Sequence, residues 1–301
     1  MIKSISIDGF RGLKFNDKVS RVNLIIGENS SGKTSFLEAI FFSTLLLSNR
    51  VMMSDANSQL IYMFNSRGEA LSSFATIGDS LIHIDNNEIK IKRVSPLELS
   101  VLLDNREIAK ITVERISFSH NEGSGAVLIP TLSVKDTRGT SDYFPVYISV
   151  YFDNFDNPER IISYSKKAGG KSQFEILKDD YDQFKLFYSS LPVYSVGRGF
   201  LKKELIRASL SYANILLVDE IEDSLHPDYV RDVLKSLLDA REVQSFIVTH
   251  SNEVIKMASR LASDSSDIAI YYFNRERKYA KYSLTDLSSF DSPLSWAGYI
   301  W

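Results

Sequence analysis

Residues 27–34 read Gly27-Glu28-Asn29-Ser30-Ser31-Gly32-Lys33-Thr34, and Ser35 follows them. The segment fits the pattern GxxxxGK[ST], with an apolar strand at 23–26 before it and an amphipathic helix predicted from 33 to about 47 after it. Its glycines permit backbone angles that turn N–H groups inward around phosphates, and the helix N-terminus faces the same anions. We expect residues 27–35 to bind a nucleoside triphosphate, with Lys33 as a catalytic cation at the β- and γ-phosphates and the Thr34 hydroxyl on Mg²⁺.

A buried strand that ends in acids supplies the second part of the predicted site. Residues 215–220 read ILLVDE, so four apolar residues lead into two adjacent carboxylates. Buried charge is costly unless it is compensated, for example by a metal. We predict that Asp219 is the magnesium-side carboxylate and that Glu220 is the general base for the attacking water.

A third apolar strand, residues 245–249, ends at His250. Parallel sheets present their ligand-binding residues at the carboxyl ends of their strands. We therefore predict that His250 contacts the γ-phosphate as a sensor and belongs to the catalytic residues.

Composition excludes several other classes of protein. The chain has no cysteine, which excludes cysteine-ligated metal sites and disulfides. Its longest apolar stretch, 36–47, contains Glu38 and is too short for a membrane span, so we expect a cytoplasmic protein without a membrane partner. The net charge of −3 argues against a dedicated nucleic-acid-binding domain. It leaves room for local basic groups, at Lys166, Lys167 and Lys171 and at Lys202, Lys203 and Arg207, which are otherwise solvated faces.

The order of patterns predicts a nucleotide-binding core that is split in sequence. Residues 1–50 and 191–285 alternate apolar strands with helices, which is typical of a parallel sheet covered on both faces. Residues 51–190 are rich in β-branched residues and turn signals and predict an inserted antiparallel β lobe. Residues 286–301 form a tail. The predicted fold class is α/β, a P-loop NTPase with a mainly parallel core sheet flanked by helices, plus the β lobe.

These motifs together resemble ABC-type ATPases of the overcoming-lysogenization-defect and SMC kind. The resemblance depends on GENSSGKT, on ILLVDEIEDSLHP at 215–227, on VTHS at 248–251 and on the opening SISIDGFRGLKF, and it covers about half of the chain. Ile221 departs from the family, which often has proline there. The resemblance implies one ABC-type ATPase domain over residues 1–301 that hydrolyses ATP with Mg²⁺. It also implies that Arg11 lies near the nucleotide.

Members of this group work as head-to-tail dimers, in which a signature segment of one subunit caps the γ-phosphate bound to the other. The resemblance places this segment at Ser195, Gly197 and Gly199, although the sequence departs from LSGG and an ordinary glycine-rich turn is the alternative. The family's magnesium-sensing glutamine is best placed at Gln59 by its order in the chain.

The resemblance implies an ATP-driven switch in DNA maintenance or antiviral defence, with DNA and a separate effector, such as a nuclease, as partners. No strand-borne DxD pair follows His250, so no Toprim nuclease is expected within the chain. Two alternatives stay open: a free-standing nucleotide phosphatase and the energy subunit of a transporter. The sequence does not identify the effector, the DNA substrate, the trigger or the preference for ATP over GTP.

Overall fold

The computed structural model describes residues 1–47, 79–120, 123–134, 147–152, 158–178, 182–262 and 264–284. The chain forms two compact units. The core unit contains residue 1 and residues 20–34 and 148–301, and the β unit contains residues 2–19 and 35–147. Gln59 and the predicted tail, 286–301, lie outside the described residues.

The core unit is built on a mostly parallel sheet. Strand β3 (Val22–Gly27) lies between β14 (Gln244–Val248) and β15 (Ile268–Phe273), and β13 (Ile215–Val218) and β9 (Ser149–Phe152) follow beyond β14. These five strands are parallel, and β16 (Tyr279–Tyr282) is antiparallel at one edge. All residues of β13, β14 and β15 are buried, as expected for parallel strands covered on both faces. The carboxyl ends of β3, β13 and β14 consequently meet at one edge of the sheet.

Five helices are described: α1 (Lys33–Leu46), α2 (Pro158–Lys167), α3 (Arg198–Ser209), α4 (Pro227–Asp239) and α5 (Asn252–Leu261). The buried residues of α4 recur at helical spacing, so that one face packs on the hydrophobic core: Val230, Val233, Leu234, Leu237 and Leu238. Its start is fixed by Pro227 at the first turn and by His226 Nδ1, which accepts the Asp228 N–H at 3.4 Å. No helix of the described residues is long and apolar enough to cross a membrane.

A small antiparallel sheet completes the described part of the core unit. Its strands are β10 (Phe174–Lys178), β11 (Phe184–Tyr188) and β12 (Leu191–Pro192). A 3₁₀ turn at Val193–Ser195 leads from β12 towards α3.

The β unit is an antiparallel sheet. Its strands are β1 (Ser4–Asp8), β2 (Lys14–Lys18), β4 (Ser80–Ile84), β5 (Asn87–Ser95), β6 (Glu98–Leu103), β7 (Arg106–His120) and β8 (Gly123–Val134), in the order β2-β1-β4-β5-β6-β7-β8. In β1, Ile5 and Ile7 are buried and alternate with more exposed residues, so one face of the strand packs inward.

The fold class predicted from the sequence is confirmed, since a mainly parallel sheet with helices accompanies an antiparallel sheet. The units divide the chain at residues other than the predicted bounds. Strands β1 and β2 pair in the antiparallel sheet although they precede the phosphate-loop strand, and β9 pairs with β13 in the core sheet. The reason is that β1 has the alternating burial of a one-sided antiparallel strand, whereas β9 has only four residues and gives a weak signal.

Candidate functional site

Residues 27–32 connect β3 to α1 through a backbone that only certain residues adopt. Gly27 has φ +133°, and a Cβ there would lie 2.0 Å from the carbonyl oxygen of Phe273. Ser30 and Gly32 also have positive φ, 63° and 101°. Three residues with positive φ within six positions curl the chain into a concave loop whose N–H groups can face an anion.

The ammonium of Lys33 lies inside this loop. Lys33 is 5% exposed, and its Nζ donates to the carbonyl oxygens of Gly27 at 3.0 Å and Glu28 at 2.5 Å. Burial lowers the pKa of Lys33, and the nearby carboxylates of Asp219 and Glu220 oppose this shift. The loop therefore holds a desolvated cation beside carboxylates, an arrangement that suits a polyanion with a bound divalent metal.

The loop also contains a polar atom that lacks a partner. Ser31 is fully buried, and its Oγ has no hydrogen-bond partner among the described residues. A buried hydroxyl without a partner is costly. The orphaned hydroxyl, the positive-φ backbone and the buried Lys33 together fit the phosphates of a nucleotide.

The outer side of the loop is fixed by the residues that follow β15. The Glu28 N–H donates to Phe273 O at 3.1 Å, and the Arg275 N–H donates to Glu28 Oε2 at 2.8 Å. The carboxylate of Glu28 is thus bonded to the Arg275 N–H, and only the main chain of Glu28 forms part of the loop.

Asp219 directly follows β13 and is 7% exposed. Its N–H donates to Phe152 O at 2.9 Å, and Tyr151 Oη donates to its Oδ2 at 3.4 Å. No cluster of three or more acidic, histidine or cysteine residues that could hold a metal occurs in the described part of the chain. One carboxylate and the Thr34 hydroxyl, with phosphate oxygens and waters, is a donor set that fits Mg²⁺.

Glu220 has an unusual backbone and an accessible side chain. Its φ is +48°, a left-handed conformation that is strained for a residue with a Cβ. The side chain is 59% exposed, and Oε1 lies 3.6 Å from His250 Nε2. The predicted base and the predicted sensor are therefore neighbours, although they lie 30 residues apart in sequence.

The loop after Glu220, residues 221–225, is bonded to the end of β14. Glu222 accepts from Thr249 Oγ1 at 2.8 Å and from the His250 N–H at 2.6 Å. The Ile221 N–H donates to Val248 O at 3.1 Å. Proline has no N–H and could not make this bond, which gives a physical reason for isoleucine at the position where the related family often has proline.

The two glycines of the predicted signature segment have different surroundings. Gly197 has no atom within 4 Å of an added Cβ, whereas a Cβ on Gly199 would lie 2.2 Å from Ser224 O. Ser195 and Gly197 are exposed at the start of α3. One glycine therefore packs on the loop after Glu220, and the other faces open space.

Lys202, in the first turns of α3, makes a second connection to the same loop. It is 2% exposed, and its Nζ donates to Glu220 O at 2.9 Å and to Asp223 O at 3.1 Å. Burial lowers the pKa of Lys202, and Asp223 and Glu222 oppose this shift. The sequence predicted Lys202 to belong either to a local basic patch or to a solvated helix face. The structure corrects both, because the side chain is buried and holds the backbone around Glu220.

The structure brings most of the predicted residues together in the core unit. The phosphate loop, Asp219, Glu220 and His250 follow β3, β13 and β14 at one edge of the sheet. Arg11 lies in the β unit, where its Nε pairs with the buried Glu38 Oε2 at 2.9 Å, so its place near a nucleotide stays a prediction. Tyr151 had no signal in the sequence. Glu222 lies in the motif at 215–227 and Lys202 was named among the basic residues, but their contacts with Thr249 and Glu220 were not predicted.

A comparison with known protein families gives one match that spans most of the chain. Residues 22–256 match the family model described as "AAA domain, putative AbiEii toxin, Type IV TA system". The chain belongs to this family. The matched range begins at β3 and extends into α5, so it contains the phosphate loop, Asp219, Glu220 and His250.

Curated relatives of this AAA-domain protein match a shorter stretch. The DNA replication and repair protein RecF of Shewanella sp. (strain MR-4) is 35% identical over 124 residues, 38% of this chain and 33% of that protein. RecF of Shewanella oneidensis is 34% identical over the same length. The aligned stretch spans about a third of these relatives.

Among solved structures, an SMC head bound to the C-terminal winged-helix domain of ScpA aligns with a TM-score of 0.52 at 14% identity, over 96% of this chain and 99% of that chain. At this identity the likeness shows the fold alone. The AAA-domain protein thus has the fold of an SMC head, and the resemblance to ABC-type P-loop ATPases that its motifs predicted is confirmed.

Proposed function

We propose that the protein binds ATP with Mg²⁺, hydrolyses it, and uses the cycle to close and reopen a head-to-tail dimer. The observation that carries this proposal is the junction of the buried Lys33, Asp219 and the Glu220–His250 pair at one edge of the core sheet. Charge balance supports it, because a buried cation flanked by carboxylates suits a metal-bound polyphosphate.

Each residue has a role that its surroundings allow. Lys33 neutralises the β- and γ-phosphates, and Thr34 and Asp219 would hold the Mg²⁺. Glu220, whose carboxylate is exposed, takes a proton from the attacking water. The ion supplies Lewis-acid stabilisation of phosphate charge when it is bound.

The exposure of Ser195 and Gly197 and the packing of Gly199 support dimer closure. Ser195 and Gly197 present a hydroxyl and backbone N–H groups at the positive end of α3, and both are exposed. Gly199 and Lys202 connect the same helix to the loop that begins at Glu220. A γ-phosphate that reaches residues 195–199 from a second copy would therefore act on the loop of the predicted base.

We place this switch in DNA maintenance or antiviral defence, with a separate effector protein such as a nuclease. The names of the relatives and of the family support this setting. The curated relatives are DNA replication and repair proteins, and the family description includes a toxin of a Type IV TA system. The proposal thus takes its mechanism from the geometry and its setting from the relatives.

The test uses Glu220→Gln, which keeps the shape of the side chain and removes the base. With ATP and Mg²⁺, light scattering should show dimers of the variant, and turnover should fall about a hundredfold or more. Glu242→Gln, at an exposed acid outside the site, should behave as wild type.

Wild-type specific activity should rise with protein concentration, because a ligand shared by two subunits favours the assembled state by mass action. Turnover that is independent of concentration, by a protein that stays monomeric with ATP, would contradict the switch and favour a free-standing phosphatase. Absence of ATP turnover at every concentration would contradict the ATPase itself.

A further inference from the structure

The end of α2 and the turn after it form a local concentration of positive charge. Residues 158–171 contain four cationic residues and one acidic residue, a net charge of +3 in a chain whose net charge is −3. Lys166, Lys167 and Lys171 are exposed in this stretch. We define the basic turn as Arg160, Lys166, Lys167 and Lys171.

The three lysines of the basic turn differ from Lys256 and Lys278, two other exposed lysines of the core unit. Lys256 Nζ lies 3.1 Å from a Glu253 carboxylate oxygen, and Lys278 Nζ lies 2.9 Å from Glu276. Within the described residues, Lys166, Lys167 and Lys171 have no carboxylate within 4 Å of Nζ. No ion pair with another described residue therefore neutralises their charge.

The turn that holds these lysines has a fixed geometry. A Cβ on Gly170 would lie 2.4 Å from Ser165 Oγ and 2.7 Å from Ser211 Oγ. The Gly170 N–H donates to Ser165 O at 2.8 Å, and Ser211 Oγ donates to Ser165 Oγ at 2.9 Å. Close packing at Gly170 keeps Lys171 beside the end of the helix that carries Lys166 and Lys167, instead of on a free loop.

Lysines at the end of a helix are favoured by the helix dipole alone. That effect falls off within the last turn and does not account for Lys171, which lies four residues beyond α2. It also does not account for Arg160 in the first turn of the helix.

Among residues 158–178, Tyr164 has the one exposed aromatic ring, and two cationic side chains of the basic turn already lie over it. Tyr164 is 37% exposed, and its ring centroid lies 5.7 Å from Arg160 Cζ and 5.5 Å from Lys167 Nζ. Single-stranded nucleic acids bind through bases that stack on aromatic rings, and a ring covered by cations is a poor platform. Phosphate contacts without stacking are the chemistry of duplex backbone binding.

We propose that the basic turn binds the phosphate backbone of duplex DNA. This rests on the proposed function, which places the switch in DNA maintenance, and it adds the surface that would contact the DNA. Binding there is independent of base sequence, because lysine ammonium groups on phosphates position a duplex without reading it.

The experiment compares two triple variants that remove the same charge. Lys166→Gln/Lys167→Gln/Lys171→Gln changes the basic turn. Arg231→Gln/Lys235→Gln/Lys256→Gln changes exposed positions on α4 and α5. Affinity of the full chain for a labelled duplex of roughly 30 base pairs, about three helical turns, is measured by anisotropy over a salt series.

The first variant should bind about tenfold or more weakly than wild type and should lose about two to three units from the slope of log K against log salt, since each phosphate contact contributes about 0.9. The control variant should stay close to wild type. Equal binding and equal slopes in the two variants would overturn the proposal. So would preferential loss of single-stranded DNA binding, or of binding to anionic vesicles, with duplex binding unchanged.

ATP turnover without DNA is measured on the same samples and distinguishes the two proposals. Both triple variants should retain wild-type turnover, which also shows that they are folded. If the wild-type chain binds duplex through the basic turn but has no turnover, the proposed ATPase fails and the surface stands. If it turns over ATP but shows no duplex binding, the surface fails and the ATPase stands.

Discussion

Two segments of the core unit contain glycines, residues 27–34 and residues 195–199. They differ in how closely the rest of the same chain packs around them. In the first, Gly27 packs on Phe273 and Lys33 is buried in the loop. In the second, Gly199 packs on Ser224 O, but no atom lies within 4 Å of a Cβ added at Gly197. The phosphate loop is thus built to hold its ligand alone. The signature segment is anchored on one side and open on the other, as expected for a surface completed by a second molecule.

The largest effect on ATP binding is expected in the phosphate loop, residues 27–34. Lys33→Ala should abolish ATP binding, because no other residue of the loop supplies a cation to the β- and γ-phosphates. Equilibrium binding of a fluorescent ATP analogue measures this, with Lys235→Ala as an exposed control on α4. Normal affinity in a folded Lys33→Ala protein would show that the loop is not the phosphate site.

A bulky cationic side chain in the signature segment, residues 195–199, should prevent dimer assembly without preventing ATP binding. Ser195→Arg, made in the Glu220→Gln background, should block ATP-dependent dimers because its bulk fills the face meant for the other subunit's γ-phosphate. ATP affinity of the monomer should stay within about twofold, as for surface substitutions in general. Light scattering and nucleotide binding on one sample measure both. Unimpaired dimers in the double variant would show that residues 195–199 do not face a second nucleotide.

Lys202 on α3 holds the backbone around the predicted base, Glu220, and removing its bonds should give a smaller change in activity. Lys202→Met leaves the carbonyls of Glu220 and Asp223 without this donor and should lower kcat about tenfold with little change in KM, because Lys202 positions Glu220 and does not touch substrate.

Lys202→Arg should restore part of kcat, since it keeps a cationic donor. Lys203→Met is the matched control, because Lys203 lies over the rings of Phe200 and Tyr229 and not on the loop. Equal losses of kcat in the methionine variants at 202 and 203 would contradict a positioning role.

The smallest effect should be seen in stability alone. Gly199→Ala pushes a methyl group against Ser224 O and should cost about 1–3 kcal/mol of unfolding free energy. Gly197→Ala has open space and a φ of −57°, so its effect should be within about 0.5 kcal/mol. Thermal melting of the two variants compares them directly, and equal shifts would show that Gly199 is not packed as described.

Sequence patterns located the parts of the site that depend on local chemistry. The phosphate loop and the acidic end of β13 each lie within a short stretch with its own signature, so Lys33, Asp219 and Glu220 could be named in advance. The bonds of Glu222 to Thr249 and of Lys202 to Glu220 join residues far apart in sequence. They depend on how helices and strands approach, which periodicity does not report.

The same limit explains why the two units are bounded at residues other than those that the sequence suggested. Ile5 and Ile7 indicate a strand with one buried face, but alternation does not say which sheet it joins. Strand β9, with four residues, is too short to show a period. Fold class depends on many residues and was predicted correctly, whereas partner strands depend on tertiary contacts.

The parallel pairing of β3 with β14 sets an order for folding during synthesis. Asn23 lies opposite Phe246 in the sheet although 223 positions separate them in the chain. Strands β4 to β8 pair with their immediate neighbours in sequence and can form as soon as they leave the ribosome. The phosphate loop is therefore among the first segments made and among the last to gain its sheet partners, so a nascent chain should acquire ATP affinity only after residue 248 has emerged.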